Sequence, residues 1–143
     1  MTNDEIRTFI ARYVDAWERE SVQTLVECYA DKARVESPMF HTIVGRSDIA
    51  KSFTHLFDAF DDWDITVDDT LIDHEPADRA VFVITAQMTH RGEIFGMPGT
   101  GRRVESSGAF ILRFDDGRIA SERRVYDFTG LLVQLGVLKA KAV

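Results

Sequence analysis

The hydrophobic period of the chain changes once. Ile6, Phe9, Ile10, Tyr13, Val14 and Trp17 recur at three-and-four spacing, the signature of a helix with one apolar stripe. Thr2 or Asn3 supplies its cap, and Asp4 and Glu5 favour the positive end of the helix dipole. A shorter helix is predicted over 22–29, capped by Ser21 and ended by Ala30-Asp31-Lys32. A third runs from a Ser47 cap to about Phe60, with Ile49, Phe53, Leu56, Phe57 and Phe60 on one side. Between the second and third, Ala33 to Ser37 alternates and stops at Pro38, which predicts a short peripheral strand. Met39 to Gly45 follows as a loop or short hairpin.

Beyond Phe60 the period becomes two, in runs from Ile65 to Ile72, Ala80 to His90, Val104 to Phe114 and Ile119 to Asp127. In the second run Phe82, Ile84, Ala86, Met88 and His90 form the better candidate for a buried face. Asp115-Asp116-Gly117, between two apolar runs, predicts a tight hairpin, because Asp and Gly tolerate the positive φ such a turn requires. The segment Phe95 to Gly101 links two strands and is expected to be a flexible rim over a pocket. A short terminal helix follows Asp127. Helices first and antiparallel strands afterwards define an α+β class: a curved, cone-shaped antiparallel sheet wrapped around three N-terminal helices, with a short C-terminal helix.

Length and charge narrow the function. A chain of 143 residues with 45% hydrophobic content is expected to form a single domain over 1–143. A net charge of −7 with no basic stripe argues against nucleic acid. No apolar run approaches membrane-spanning length and MTNDEIRTF lacks a basic or apolar leader, so no membrane partner and a cytoplasmic location are expected. The single Cys28 lies in an apolar pattern and is expected to be a small buried hydrophobe. Four His and one Cys show no ligand spacing, and neither a phosphate loop nor a dinucleotide fingerprint occurs; no metal or cofactor is expected. The outer face of the second strand run is half apolar, which predicts a homodimer through the sheet.

One carboxylate stands out. Asp127 sits where the last strand meets the terminal helix; turned inward it would be desolvated and suited to proton transfer, turned outward it would cap the helix. Arg123 shares its face at i and i+4, and His90 ends the inward face of the neighbouring run. Tyr13, Trp17, Tyr29, Phe57, Met88 and Phe110 are the apolar and aromatic side chains expected to line a ligand site inside the cone. The doublet Arg123-Arg124 with Glu122 also fits a solvated edge.

The element order, together with Tyr29-Ala30-Asp31-Lys32-Ala33-Arg34-Val35-Glu36-Ser37-Pro38, Asp116-Gly117-Arg118-Ile119, Tyr126-Asp127-Phe128 and Gln134-Leu135-Gly136, resembles the nuclear transport factor 2-like superfamily, and within it the SnoaL-like polyketide and ester cyclases. The resemblance implies a cone that binds a small hydrophobic, oxygen-bearing molecule such as a polyketide, steroid or terpenoid. It implies cofactor-free acid/base chemistry with Asp127 as base and His90, Tyr13 or Arg123 stabilising an oxyanion. Ser106-Ser107-Gly108-Ala109 carries no assisting His. The base and acid positions of the ketosteroid isomerase branch fall on Ser37 and Phe110, which argues against that isomerisation. The alternative is a non-catalytic ligand-binding or protein-interaction module of the same fold.

Overall fold

The computed structural model describes residues 1–139 and 141. Helix α1 spans Asn3–Glu18, started by a reciprocal capping box between Thr2 and Glu5. Its stripe of Ile6, Ile10, Tyr13, Val14 and Trp17 is buried. Helix α2 spans Val22–Glu27, with Ser21 accepting from the Thr24 amide. It stops earlier than its sequence predicts. Tyr29 is wholly buried and already belongs to strand β1, Tyr29–Ser37, so Ala30-Asp31-Lys32 is strand and not a helix end.

Strand β2, His41–Val44, folds back on β1 as a hairpin, and helix α3 covers Arg46–Ala59. Gly45, not Ser47, is the N-cap of α3: its φ of 88° turns the chain out of β2 while its amide bonds to Ala33. Strands β3 (Phe60–Asp73), β4 (Arg79–His90), β5 (Arg103–Asp115) and β6 (Arg118–Tyr126) then build a meander, and helix α4 (Phe128–Leu135) closes the fold. At the β5–β6 turn Asp116 and Gly117 both take positive φ, 50° and 74°, as the dipeptide predicts.

The six strands lie in the order β2-β1-β6-β5-β4-β3 in an open, curved sheet, antiparallel except where β1 runs parallel to β6. Strand β1 is therefore interior to the sheet, and β2 takes the edge position that the sequence pattern assigns to Ala33 to Ser37. Helices α1 and α3 fill the concave side, and the core runs from Ile6 and Trp17 through Phe53 to Phe82, Phe110 and Leu112. On β4, Phe82, Ile84, Ala86, Met88 and His90 all face inward. The outer face keeps Leu71, Val83, Ile111 and Val125 exposed. Among the described residues, no helix is long and apolar enough to cross a membrane.

One irregularity decides what the last strand presents to the core. Arg113 pairs with Ser121, but Phe114 pairs with Ile119, which leaves Ala120 as an extra residue in β6. Because side chains alternate with period two, one inserted residue exchanges the two faces of everything beyond it. Ile119 points inward before the bulge; after it Glu122, Arg124 and Tyr126 take the inward positions, while Arg123 and Val125 face solvent.

Candidate functional site

Glu122 and Arg124 stand two residues apart on the inward face of β6 and are 2% and 6% exposed. Burying a charge costs several kcal/mol unless it is paired, and here each pairs with the other: Arg124 Nε donates to Glu122 Oε2 at 2.7 Å. The other carboxylate oxygen accepts from Tyr13 at 2.8 Å and Tyr29 at 2.9 Å. Burial first, and then the neighbouring Glu122 charge, push both phenols well above their ordinary range, so they stay neutral donors. Burial works against the charge on Arg124, but the Glu122 carboxylate and the oxygens of Tyr13 and Tyr29 together outweigh it and hold the guanidinium charged.

The guanidinium is wedged among aromatic rings. Its Cζ lies 5.0 Å from the Trp17 centroid, 5.3 Å from Phe53 and 5.7 Å from Phe110, within the range where ring quadrupoles attract a cation. Arg124 Nη2 has no hydrogen-bond partner, and neither has Trp17 Nε1.

Both residues border one cavity of about 70 Å³ between helices and sheet. A water needs roughly 10–15 Å³ by this kind of measure, so the space holds a few waters or a small apolar group. Its wall is mostly apolar, with Phe60, Trp63, Ile84, Met88, Phe110 and Leu131 prominent; Ser106, Arg124 and Tyr126 add polar atoms. Met39 and Phe40, from the β1–β2 turn, border it and are only half-buried. Gly108 faces Tyr126 across the ladder, and a Cβ there would come within 2.6 Å of the Val125 carbonyl oxygen, so glycine is what lets the two strands close around Tyr126.

Of the side chains singled out in the sequence, Trp17, Met88 and Phe110 line this cavity. Phe57 lies behind it, 6.1 Å from each of Trp17 and Trp63. Tyr13 and Tyr29 lie deeper, with their hydroxyls on Glu122. His90 is fully buried but outside the lining. Its Nδ1 is held by Thr100, 3.0 Å from the hydroxyl and 3.3 Å from the amide, and its Nε2 has no partner among the described residues. The 95–101 segment, expected as a rim, contributes no residue to the lining; His90 and an Ile94–Met97 bridge tie it down elsewhere.

Asp127 is exposed, and its Oδ1 accepts from the Gly130 amide at 2.8 Å as the N-cap of α4. Arg123 is also exposed. The two residues that the sequence assigned to a solvated edge, Glu122 and Arg124, are the buried ones. The Ala120 bulge reverses the expected phase, and only an inward charge placed i+2 from an opposite charge hinted at the pair. Gln134, from the closing motif, clamps α4 to β5 by exchanging two bonds with the Glu105 backbone, at 2.8 and 2.7 Å. That clamp holds Leu131 over the cavity. Cys28 is 1% exposed, and burial pushes its thiol up to about 11. Among the described residues no cluster of three or more His, Cys, Asp or Glu is placed to hold a metal.

The family model described as SnoaL-like polyketide cyclase matches residues 7–135. Among solved structures, AclR from Streptomyces galilaeus, provisionally assigned as a hydroxylase, is 26% identical over 99% of this chain and 87% of its own, with a TM-score of 0.85. TsrD from Streptomyces laurentii is 23% identical over 96% and 99%, with a TM-score of 0.82. A protein from Catenulispora acidiphila with a ketosteroid isomerase-like fold, in complex with trimethylamine, has a TM-score of 0.75 at 15% identity, over 90% of this chain and 92% of its own. No curated protein matches the chain.

Asp127→Ala should lower stability by about 1 kcal/mol, whereas Asp127→Asn, an equally good cap, should change it by only a few tenths; chemical denaturation compares the two. Because Tyr13 and Tyr29 keep their protons in the fold above the pH at which free phenols ionise, the unfolded chain binds fewer protons there. Stability should therefore fall as pH rises above about 10, by up to ~1.4 kcal/mol per pH unit for each such tyrosine. Tyr13→Phe should flatten that fall in thermal melts.

Proposed function

Because the chain belongs to the SnoaL-like polyketide cyclase family, we propose that it binds a small, largely apolar, oxygen-bearing molecule in the cavity beside Arg124. The supporting observation is an apolar cavity against one buried cation, which is the composition of a small-molecule site: apolar walls for affinity, a convergent polar group for orientation. A ring-bearing ligand of polyketide, steroid or terpenoid type exceeds the present volume, so entry involves movement of Met39 and Phe40 at the half-buried border. Unbranched Met39 suits that adjustment.

Where chemistry accompanies binding, the reading is proton transfer with Arg124 stabilising the oxyanion that develops. Asp127 keeps its cap in this reading, next in sequence to the cavity residue Tyr126. The non-catalytic alternative uses the same cavity for binding alone.

Acetophenone, a neutral aromatic ketone, should quench the fluorescence of Trp17 and Trp63 saturably, since both indoles line the cavity. Ala86→Leu, which fills space on the cavity wall, should abolish the saturable quenching while leaving the circular dichroism unchanged. Unchanged quenching in that variant would place the binding elsewhere.

We also propose that the outer sheet face pairs two copies of the chain, since Leu71, Val83, Ile111 and Val125 are exposed together on it. Light scattering should give twice the 16.2 kDa chain mass, and Ile111→Lys should return it to one chain. A wild-type monomer at micromolar concentration contradicts the pairing.

A further inference from the structure

Three buried side-chain nitrogens lack a partner among the described residues: Trp17 Nε1, Arg124 Nη2 and His90 Nε2. Indole and guanidinium nitrogens only donate, so Trp17 Nε1 and Arg124 Nη2 are donors without acceptors. A buried donor left unpaired costs about 1–3 kcal/mol. Two of the three, Trp17 and Arg124, border the same cavity, with the guanidinium Cζ 5.0 Å from the indole centroid.

The charge is arranged in the same sense. Glu122 takes only the Nε side of the guanidinium, through Oε2, and its other oxygen is committed to two tyrosine hydroxyls. The negative charge is thus dispersed away from the cavity, while the Nη side of Arg124 stays uncommitted at its wall. A guanidinium edge presents parallel N–H groups that match the two oxygens of a carboxylate better than a single carbonyl oxygen. A cationic ligand would meet Arg124 and be repelled.

We infer that the molecule held in this cavity carries a carboxylate, bound by Arg124 with Trp17 Nε1 as the second donor. The inference rests on the cavity being the ligand site and adds the charge of the ligand to it. The rest of that ligand is apolar, matching the wall of Met88, Phe110 and Leu131. Carboxylate binding satisfies two donors that no other group among the described residues meets, so the same ligand stabilises the fold.

The test uses three probes of one size: benzoate, acetophenone and benzylammonium, titrated at pH 7 against the full chain by tryptophan fluorescence. Benzoate should bind at least ~10-fold more tightly than acetophenone, the margin of a charge-assisted bond, and benzylammonium should not bind. Trp17→Phe removes the N–H and keeps a ring; with Trp63 still reporting, it should weaken benzoate about 5-fold or more and leave acetophenone within about twofold. Arg124→Lys, which keeps the charge and loses the fork, should weaken benzoate by a further margin, and thermal melts with and without benzoate give a second readout for both variants. Acetophenone binding as tightly as benzoate would overturn the carboxylate and leave the cavity reading standing. Binding of none of the three would overturn both. Benzoate affinity unchanged in Trp17→Phe and Arg124→Lys would place the anion at another site.

Discussion

A charge that leaves water must find another charge, and the interior of this protein is built around one such requirement. Glu122 and Arg124 are both buried, each removed from solvent at a cost that only the other repays. Four other elements supply the remaining partners. Helix α1 brings the Tyr13 hydroxyl, strand β1 brings Tyr29, and Trp17, Phe53 and Phe110 surround the guanidinium. The pair therefore links α1, α3, β1, β5 and β6 at one point, and it also gives the cavity its single fixed positive charge.

The position of that pair depends on Ala120. Without the extra residue, the β5–β6 ladder would carry Ile119, Ser121 and Arg123 along one face and leave Glu122 and Arg124 in solvent. The bulge lets Ile119 pack inward at the start of the strand and the charged pair face inward further on. The parallel contact between β1 and β6 fits the same arrangement: Tyr29 pairs with Ile119, just before the bulge, and from there its hydroxyl reaches Glu122.

Most of the scaffold is legible in the sequence because each signal is local. The stripe from Ile6 to Trp17, the alternation from Phe82 to His90 and the Asp116-Gly117 turn each specify their element without knowledge of the rest. The family resemblance, carried by Asp116-Gly117 and Gln134-Leu135-Gly136, agrees with the fold found, and Gln134 proves to be the clamp that seats α4. The site is less legible because its phase is set between strands. Nothing within Arg118 to Asp127 marks Ala120 as a bulge, so reading the strand as regular places Arg123 inward with Ile119, whereas the chain turns Arg124 there. Tyr29 is mistaken for a helix end for the same kind of reason: its partners, Glu122 and Ile119, lie some ninety residues away.

The central claim, that the buried Glu122–Arg124 pair organises the interior, is tested most directly by a double-mutant cycle on stability. Arg124→Met alone strands the carboxylate and should cost about 3–5 kcal/mol in denaturant unfolding, whereas Glu122→Gln with Arg124→Met leaves no unpaired charge and should recover most of that loss. Additive losses, with the double variant as damaged as the two single variants summed, would contradict it.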